Sequence, residues 1–382
     1  MAAGIIADAA ESATTPGLPM THTPNLTRGR LLVLAVLLTG IVGLGIWLRS
    51  GHNPLETPGN GAHTMPATDA EEADAMIHPI ARQVLEASAT MPGRCFRGDR
   101  AMEYLRAICA LGPRVSGSTG MRKQQELLRK HFESCGATVE WQRFQAQQRS
   151  RREPVEMVNL IARWRPQHTR RILLCTHYDT RPIADQERDE RLWHKPFLGA
   201  NDGASGVALL MELALTLPHL PLQVGVDFVC FDGEEYIFDP RPSEWGGDRY
   251  FFGSEFFARN YARQRQQAPN APVYLEAVLV DMIAGRNPRF YIEQHSLVQA
   301  GPLVEKIWGY ADLLACRAFV AEAKHAVLDD HLQLLKVGIP AVDIIDFDYP
   351  HWHRLSDTPD NCSPDGLEQV GRVVLLWMLR AR

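Results

Sequence analysis

The seven cysteines of this 382-residue chain, at positions 95, 109, 135, 175, 230, 316 and 362, include no C-x-x-C pair. That excludes thiolate metal sites and redox centres of that spacing. An odd count leaves at least one thiol unpaired within the chain, and Cys175 and Cys230, lying in apolar runs, read as small buried hydrophobes. The chain also lacks an excess of positive charge: 40 Lys and Arg stand against 45 Asp and Glu, with a net charge of -5 and a pI near 6.3. A broad phosphate-binding surface is therefore not expected, nor nucleic acid as a partner. The local basic runs at 149–152 and 163–171 read as solvated loops or turns between strands. No internal repeat is present. What remains, 45% hydrophobic and 22% charged residues, describes an ordinary globular protein with one large domain and an appendage.

The appendage is at the N-terminus. Residues 31–48 form an uncharged apolar stretch between Arg28 and Arg30 on one side and Arg49 on the other, long enough to cross a bilayer as a helix. A cleaved signal peptide is the rival reading. The long preceding segment, the length of the apolar run and the missing A-x-A-like site favour a single anchor. The expected organisation is a short cytoplasmic tail at 1–30, a transmembrane anchor at 31–48, a Pro-, Gly-, Thr- and Ala-rich flexible linker at 49–75 and a catalytic domain at 76–382. That domain would lie outside the cytoplasm, in a periplasm or secretory lumen.

Within 76–382, helical and strand-like patterns alternate. Helices are expected at 102–111, 121–135, 203–217, 253–263, 302–313, 331–336 and 364–379. Strands are expected at 137–144, 157–164, 171–175, 224–231, 274–281 and 341–345. The alternation predicts an α/β fold with a mainly parallel sheet covered on both faces by helices.

Four polar clusters punctuate this pattern: His177-Tyr178-Asp179, Asn201-Asp202-Gly203, Asp232-Gly233-Glu234-Glu235 and Trp352-His353. Three of them end or follow apolar runs, where α/β sheets place their active sites. Imidazole and carboxylate are the ligands of a catalytic zinc, which keeps about three protein ligands and one open position. A lone H-x-D in a loop is commonly structural, and Asp202 alone reads equally well as a helix cap. The adjacent pair Glu234-Glu235 shifts the balance, because two ionised neighbours in a cleft repel unless a metal takes one and a proton the other. One carboxylate then binds zinc and its neighbour serves as general acid and base. Asp281 closes a further apolar run, and Asp329-Asp330-His331 opens a short helix.

The series H-Y-D-T-R-P, G-A-N-D-G-A-S-G, F-D-G-E-E, L-V-D-M and D-Y-P-H-W-H resembles the zinc aminopeptidase and glutaminyl cyclase superfamily, over roughly residue 95 to the C-terminus. The resemblance implies a central mixed, mostly parallel sheet with metal ligands at its C-terminal edge, and two possible activities. For the peptidases it implies two zinc ions. His177 and Asp281 would hold one, Glu235 and His353 the other, with Asp202 bridging, and Glu234 would activate water; Asp179 is a further candidate for the second metal or its surroundings. For the animal-type cyclases it implies one zinc on Asp202, Glu235 and His353, with Glu234 moving protons and Asp281 and Asp329 paired beside the substrate. That reaction turns the N-terminal glutamine of a peptide or protein into pyroglutamate and releases ammonia. The aromatic features favour the cyclase: Trp245 and Trp352 resemble pocket tryptophans, and 329–331 resembles the cyclase acidic segment, which makes His331 a pocket candidate. Two departures stand out, a longer insert at 236–243 and Thr176 where the animal enzymes have a cysteine. Bacterial members of the animal-type group share the first two motifs most closely.

Overall fold

The computed structural model describes residues 96–241, 247–268 and 270–382, so the expected anchor at 31–48, the linker at 49–75 and Trp245 lie outside the described residues. Two amphipathic helices, α1 (Gly98–Cys109) and α2 (Thr119–Ser134), open the described chain. The hairpin β1 (Thr138–Ala146) and β2 (Val155–Trp164) follows, then β3 (Arg170–His177), α3 (Ala204–Thr216) and β4 (Gly225–Phe231). Next come α4 (Phe252–Gln267), β5 (Val273–Asp281), β6 (Phe290–Ile292), α5 (Gln294–Leu313) and β7 (Phe319–Ala323). The chain ends with α6 (His331–Lys336), β8 (Ala341–Ile345) and α7 (Pro364–Arg380).

Six strands form one sheet in the order β1-β2-β4-β3-β5-β8. The hairpin edge is antiparallel, and β2 also meets β4 antiparallel. From β4 through β3 and β5 to β8 every pairing is parallel. A parallel strand between two helical layers must be apolar on both faces, and the central strands obey this residue by residue. Ile172, Leu174, Val226, Phe228, Val278 and Val280 enter the larger core with α1, α2, α3 and α7. Their alternates Leu173, Cys175, Val229, Phe231, Ala277 and Leu279 enter a second core with Phe257 of α4 and Leu334 of α6. This is the expected α/β architecture, a mixed central sheet flanked by helices. Among the described residues no helix is long and apolar enough to cross a membrane.

Helix α3 is buried on nearly every side, which explains why its sequence lacks a polar face. Its N-terminal turn presses on β3. At Gly203 the backbone has φ 95°, and a Cβ at Gly206 would sit 2.1 Å from Thr176 Oγ1 and 2.9 Å from the Val280 carbonyl. A methyl group has no room there, so Gly206→Ala is expected to cost about 1–3 kcal/mol, the usual range for overpacking. Thermal unfolding checks this, since an unchanged midpoint would mean that α3 is not held against the sheet.

Two differences from expectation have local causes. Helix α5 starts at Gln294, well before 302, because the Glu293 carboxylate caps it, accepting from the amides of His295 (2.8 Å) and Ser296 (2.6 Å). The helix then kinks at Ala300 (φ -138°, ψ 35°), just before Pro302, whose ring cannot follow a regular helical turn. The small parallel sheet of β6 and β7 was also not expected; its strands are too short for periodicity to register.

Candidate metal centre

The carboxyl ends of β3, β4, β5 and β8 lie along one edge of the parallel sheet, and the chain leaves each of them carrying site residues. His177 is the last residue of β3 and Asp281 the last of β5, while Glu234 and Glu235 follow β4 and His353 follows β8. Asp202 sits just ahead of α3, its amide and that of Asn201 held by the Asp357 carboxylate at 3.1 and 2.9 Å.

These residues form two overlapping sets with Asp202 in both: His177, Asp202 and Asp281, and Asp202, Glu235 and His353. In the first, His177 Nε2 lies 3.1 Å from Asp281 Oδ1 and 3.3 Å from Asp202 Oδ1. In the second, His353 Nε2 lies 3.1 Å from Glu235 Oε1 and 3.5 Å from Asp202 Oδ2. Tetrahedral ligands about 2.0–2.2 Å from a zinc ion stand roughly 3.3–3.6 Å apart, and the candidate ligand atoms of each set lie within 4.8 Å of one another, close enough for one cation to gather them.

The electrostatics ask for a cation as well. Burial raises the Asp202 carboxyl above its ordinary range, and the charge of Glu235 adds to the effect. Asp202 Oδ2 is buried with no hydrogen-bond partner. Burial is the largest single influence on the His353 imidazole and lowers it, yet the charge of Glu235 and the contacts with Asp185 and Glu235 together push it up to about 9. His177 likewise rises well above its ordinary value despite burial, chiefly through Asp281. Both rings thus draw in protons to offset the surrounding carboxylates, and a divalent cation would displace those protons and take over that role. The donor set of carboxylate oxygen and imidazole nitrogen fits zinc.

Glu234 belongs to neither set. Burial, reinforced by the charge of Glu235, lifts its carboxyl well above the usual range. Glu235 differs in having a permanent counter-charge: burial is overcome by Arg181 and His353, and its carboxyl is held well below the usual range. Adjacent in sequence, the two carboxylates are driven apart in proton affinity, as the pair predicted from sequence required. Asp329 is also lifted well above its normal range, by burial and then by the charges of Asp281 and Asp330.

A cleft of about 360 Å³ opens onto this edge. Asp202, Glu234, Glu235, Asp281 and Asp329 line its polar part, and Tyr250, Phe251, Phe347 and Trp352 supply its aromatic walls. Phe251 (φ 65°) and Met282 (φ 48°), which line it, and His353 (φ 53°) of the second ligand set occupy the left-handed region. For residues with a Cβ this costs on the order of 1–3 kcal/mol, and such strain gathers at functional sites.

The structure thus brings together His177, Asp202, Glu234, Glu235, Asp281, Asp329, Trp352 and His353. Asp179 lies behind them, its carboxylate accepting from the amides of Glu234 (3.2 Å) and Glu235 (3.0 Å); it shapes the turn and is in neither ligand set. His331 is a correction. Its side chain is fully buried, with Nε2 3.2 Å from Glu293 and Nδ1 3.8 Å from Asp343, and it does not line the cleft, because α6 turns it into the core. Missed by the sequence reading are Arg181, Asp185 and Asp357. Arg181 stands within the H-Y-D-T-R-P motif and Asp185 four residues on, a charge spacing that was there to notice.

A mixed α/β sheet with overlapping imidazole and carboxylate sets at its carboxyl edge defines a metalloenzyme fold. The chain belongs to peptidase family M28, whose model matches residues 159–378. It is similar to the glutaminyl-peptide cyclotransferase of Gloydius blomhoffii, 25% identical over 251 residues, covering 58% of this chain and 64% of that protein. The chain therefore spans a little under two thirds of the length of the first curated relatives it matches. Among solved structures it is similar to the glutaminyl cyclase of Fimbriiglobus ruber, with a TM-score of 0.72 and 49% identity over 74% of this chain and 95% of that one. A Zn-dependent exopeptidase of Parabacteroides distasonis has a TM-score of 0.69 and 30% identity over 75% of this chain and 98% of that one.

Proposed function

We propose that this chain is a zinc-dependent glutaminyl-peptide cyclotransferase, which closes the N-terminal glutamine of peptides or proteins to pyroglutamate and releases ammonia. The observation that carries the reading is the 49% identity to the Fimbriiglobus ruber glutaminyl cyclase over 95% of its chain. The cleft supports it, since aromatic walls over a carboxylate floor suit a short, flat carboxamide side chain. Residues 31–48 are proposed as a single membrane anchor, with the catalytic domain outside the cytoplasm.

Asp202, Glu235 and His353 would hold one zinc ion. Zinc bound there supplies Lewis-acid polarisation of the glutamine side-chain carbonyl. Phe347, Trp352 and Tyr250 hold the side chain so that its own α-amine faces the carbonyl carbon; intramolecular attack gains a large effective concentration from that placement alone. As the new C–N bond forms, Glu234 takes a proton from the amine. As the amide C–N bond breaks, Glu234 returns that proton to the departing nitrogen, which leaves as ammonia. Asp329, whose carboxyl is lifted by burial and by the charge of Asp281, lines the cleft beside Asp281 and orients the substrate there.

The set of His177, Asp202 and Asp281 favours a second reading, a two-zinc aminopeptidase in which Glu234 activates water. Zinc titration tests the two together. Full-length protein stripped of metal and given increasing zinc is expected to release ammonia from a Gln-initiated peptide at a rate that saturates at one equivalent per chain. Absence of ammonia at any loading would rule out the cyclase reading, and saturation only at two equivalents would contradict the single-zinc mechanism.

A further inference from the structure

Arg181 is a fully buried guanidinium that touches three groups at once. Its Nε and Nη2 donate to the two oxygens of Asp185 at 2.8 and 2.9 Å, its Nη1 donates to Glu235 Oε2 at 2.8 Å, and Nη2 also reaches the Tyr250 hydroxyl at 3.1 Å. Asp185 Oδ1 in turn lies 3.1 Å from His353 Nδ1, a buried nitrogen with no hydrogen-bond partner. Both metal-facing side chains, Glu235 and His353, are thereby gripped on the side away from Asp202.

We propose that Arg181 and Asp185 form a positioning pair that fixes which atoms Glu235 and His353 offer to the cation, a proposal that rests on reading Asp202, Glu235 and His353 as its ligands. Arg181 occupies Glu235 Oε2, so the carboxylate presents Oε1 alone. With the Asp185 carboxylate 3.1 Å from Nδ1, its charge favours the proton on that nitrogen, and the imidazole keeps the tautomer whose Nε2 lone pair faces Asp202 and Glu235. An outer carboxylate on a ligating histidine sets ring orientation and ligand basicity in this way. The planar guanidinium is suited to the task because one rigid fork addresses both carboxylates, which an ammonium cannot do. Through Tyr250, which lines the cleft, the same fork ties the ligand geometry to the substrate wall.

The test uses full-length protein and reads zinc affinity by competition with a chromophoric chelator, together with the visible spectrum after cobalt(II) replaces zinc. Asp185→Asn keeps the shape but puts an NH2 donor in place of one carboxylate oxygen, and in either amide orientation that donor meets another: Arg181 Nη2 at the Oδ2 position, or Arg181 Nε and His353 Nδ1 at the Oδ1 position. Arg181→Lys keeps the charge and loses the fork, which avoids stranding two buried carboxylates. Each variant is expected to bind zinc about 10–100-fold more weakly than the wild type and to show an altered cobalt spectrum, with the thermal midpoint of the metal-free protein close to wild type. Zinc affinity and cobalt spectra indistinguishable from wild type in both variants would overturn the proposal, and if Asp185→Asn fails to fold, Arg181→Lys decides alone. These readouts stay interpretable if the wild-type protein forms no pyroglutamate, so failure of the pair and failure of the cyclase reading are separable.

Discussion

Glu234→Gln is expected to keep zinc and to lose turnover by about a hundredfold to ten-thousandfold, the range that a positioned general acid and base contributes. The substitution preserves shape and hydrogen-bonding volume. It removes the one property the mechanism needs, a carboxylate able to take a proton and return it. Glu234 is not in either ligand set, and the turn that carries it is held through its backbone amide by Asp179 at 3.2 Å, so the metal site should survive. Its neighbour Glu235 is committed to Arg181 and His353 and is not free to substitute for it. Metal analysis beside steady-state rates with a Gln-initiated peptide checks both halves. A variant with full turnover would remove Glu234 from the mechanism, and one that loses zinc would make it a ligand.

Asp202→Ala is expected to abolish zinc binding and activity together. Asp202 is the residue shared by the two ligand sets, so its loss empties the site under either the one-zinc or the two-zinc reading. Lewis-acid stabilisation contributes several kcal/mol to such a reaction, and its removal should lower kcat/KM by about a thousandfold or more. The metal-free protein supplies the control. There Asp202 is a buried carboxylate with one unpartnered oxygen, a costly arrangement without a cation, so Asp202→Ala should leave the thermal midpoint of the stripped protein unchanged or higher. A lower midpoint would mean that Asp202 serves the fold rather than the metal.

Much of this was legible in the chain because strand ends announce themselves. The apolar runs before His177, Asp232 and Asp281 set the strand boundaries, and the polar residues that break them could only emerge at the sheet edge. The Glu234-Glu235 pair pointed to divergent proton affinities, and the structure supplies the cause in Arg181. The positioning layer was less legible. Arg181, Asp185 and Asp357 sit in irregular segments with no periodicity, and their partners, Glu235, His353 and the amides at 201 and 202, are brought close only by the folded sheet. His331 was misplaced for a related reason: its neighbours Asp329 and Asp330 suggested the cleft, but one residue further along a helical turn faces another direction. The kink before Pro302 was half visible, since the proline marks the start of a regular helical segment while the cap that begins α5 is a glutamate, an uncommon capping residue.

The most direct measurement of the central claim is mass spectrometry of two peptides, one beginning with Gln and one with Leu, incubated with the zinc-loaded full-length protein. The cyclase account predicts that the Gln peptide loses one ammonia with its length intact and that the Leu peptide is unchanged. Release of the first residue from the Leu peptide, with no ammonia lost from the Gln peptide, would contradict it and assign His177 and Asp281 to a second metal of an aminopeptidase.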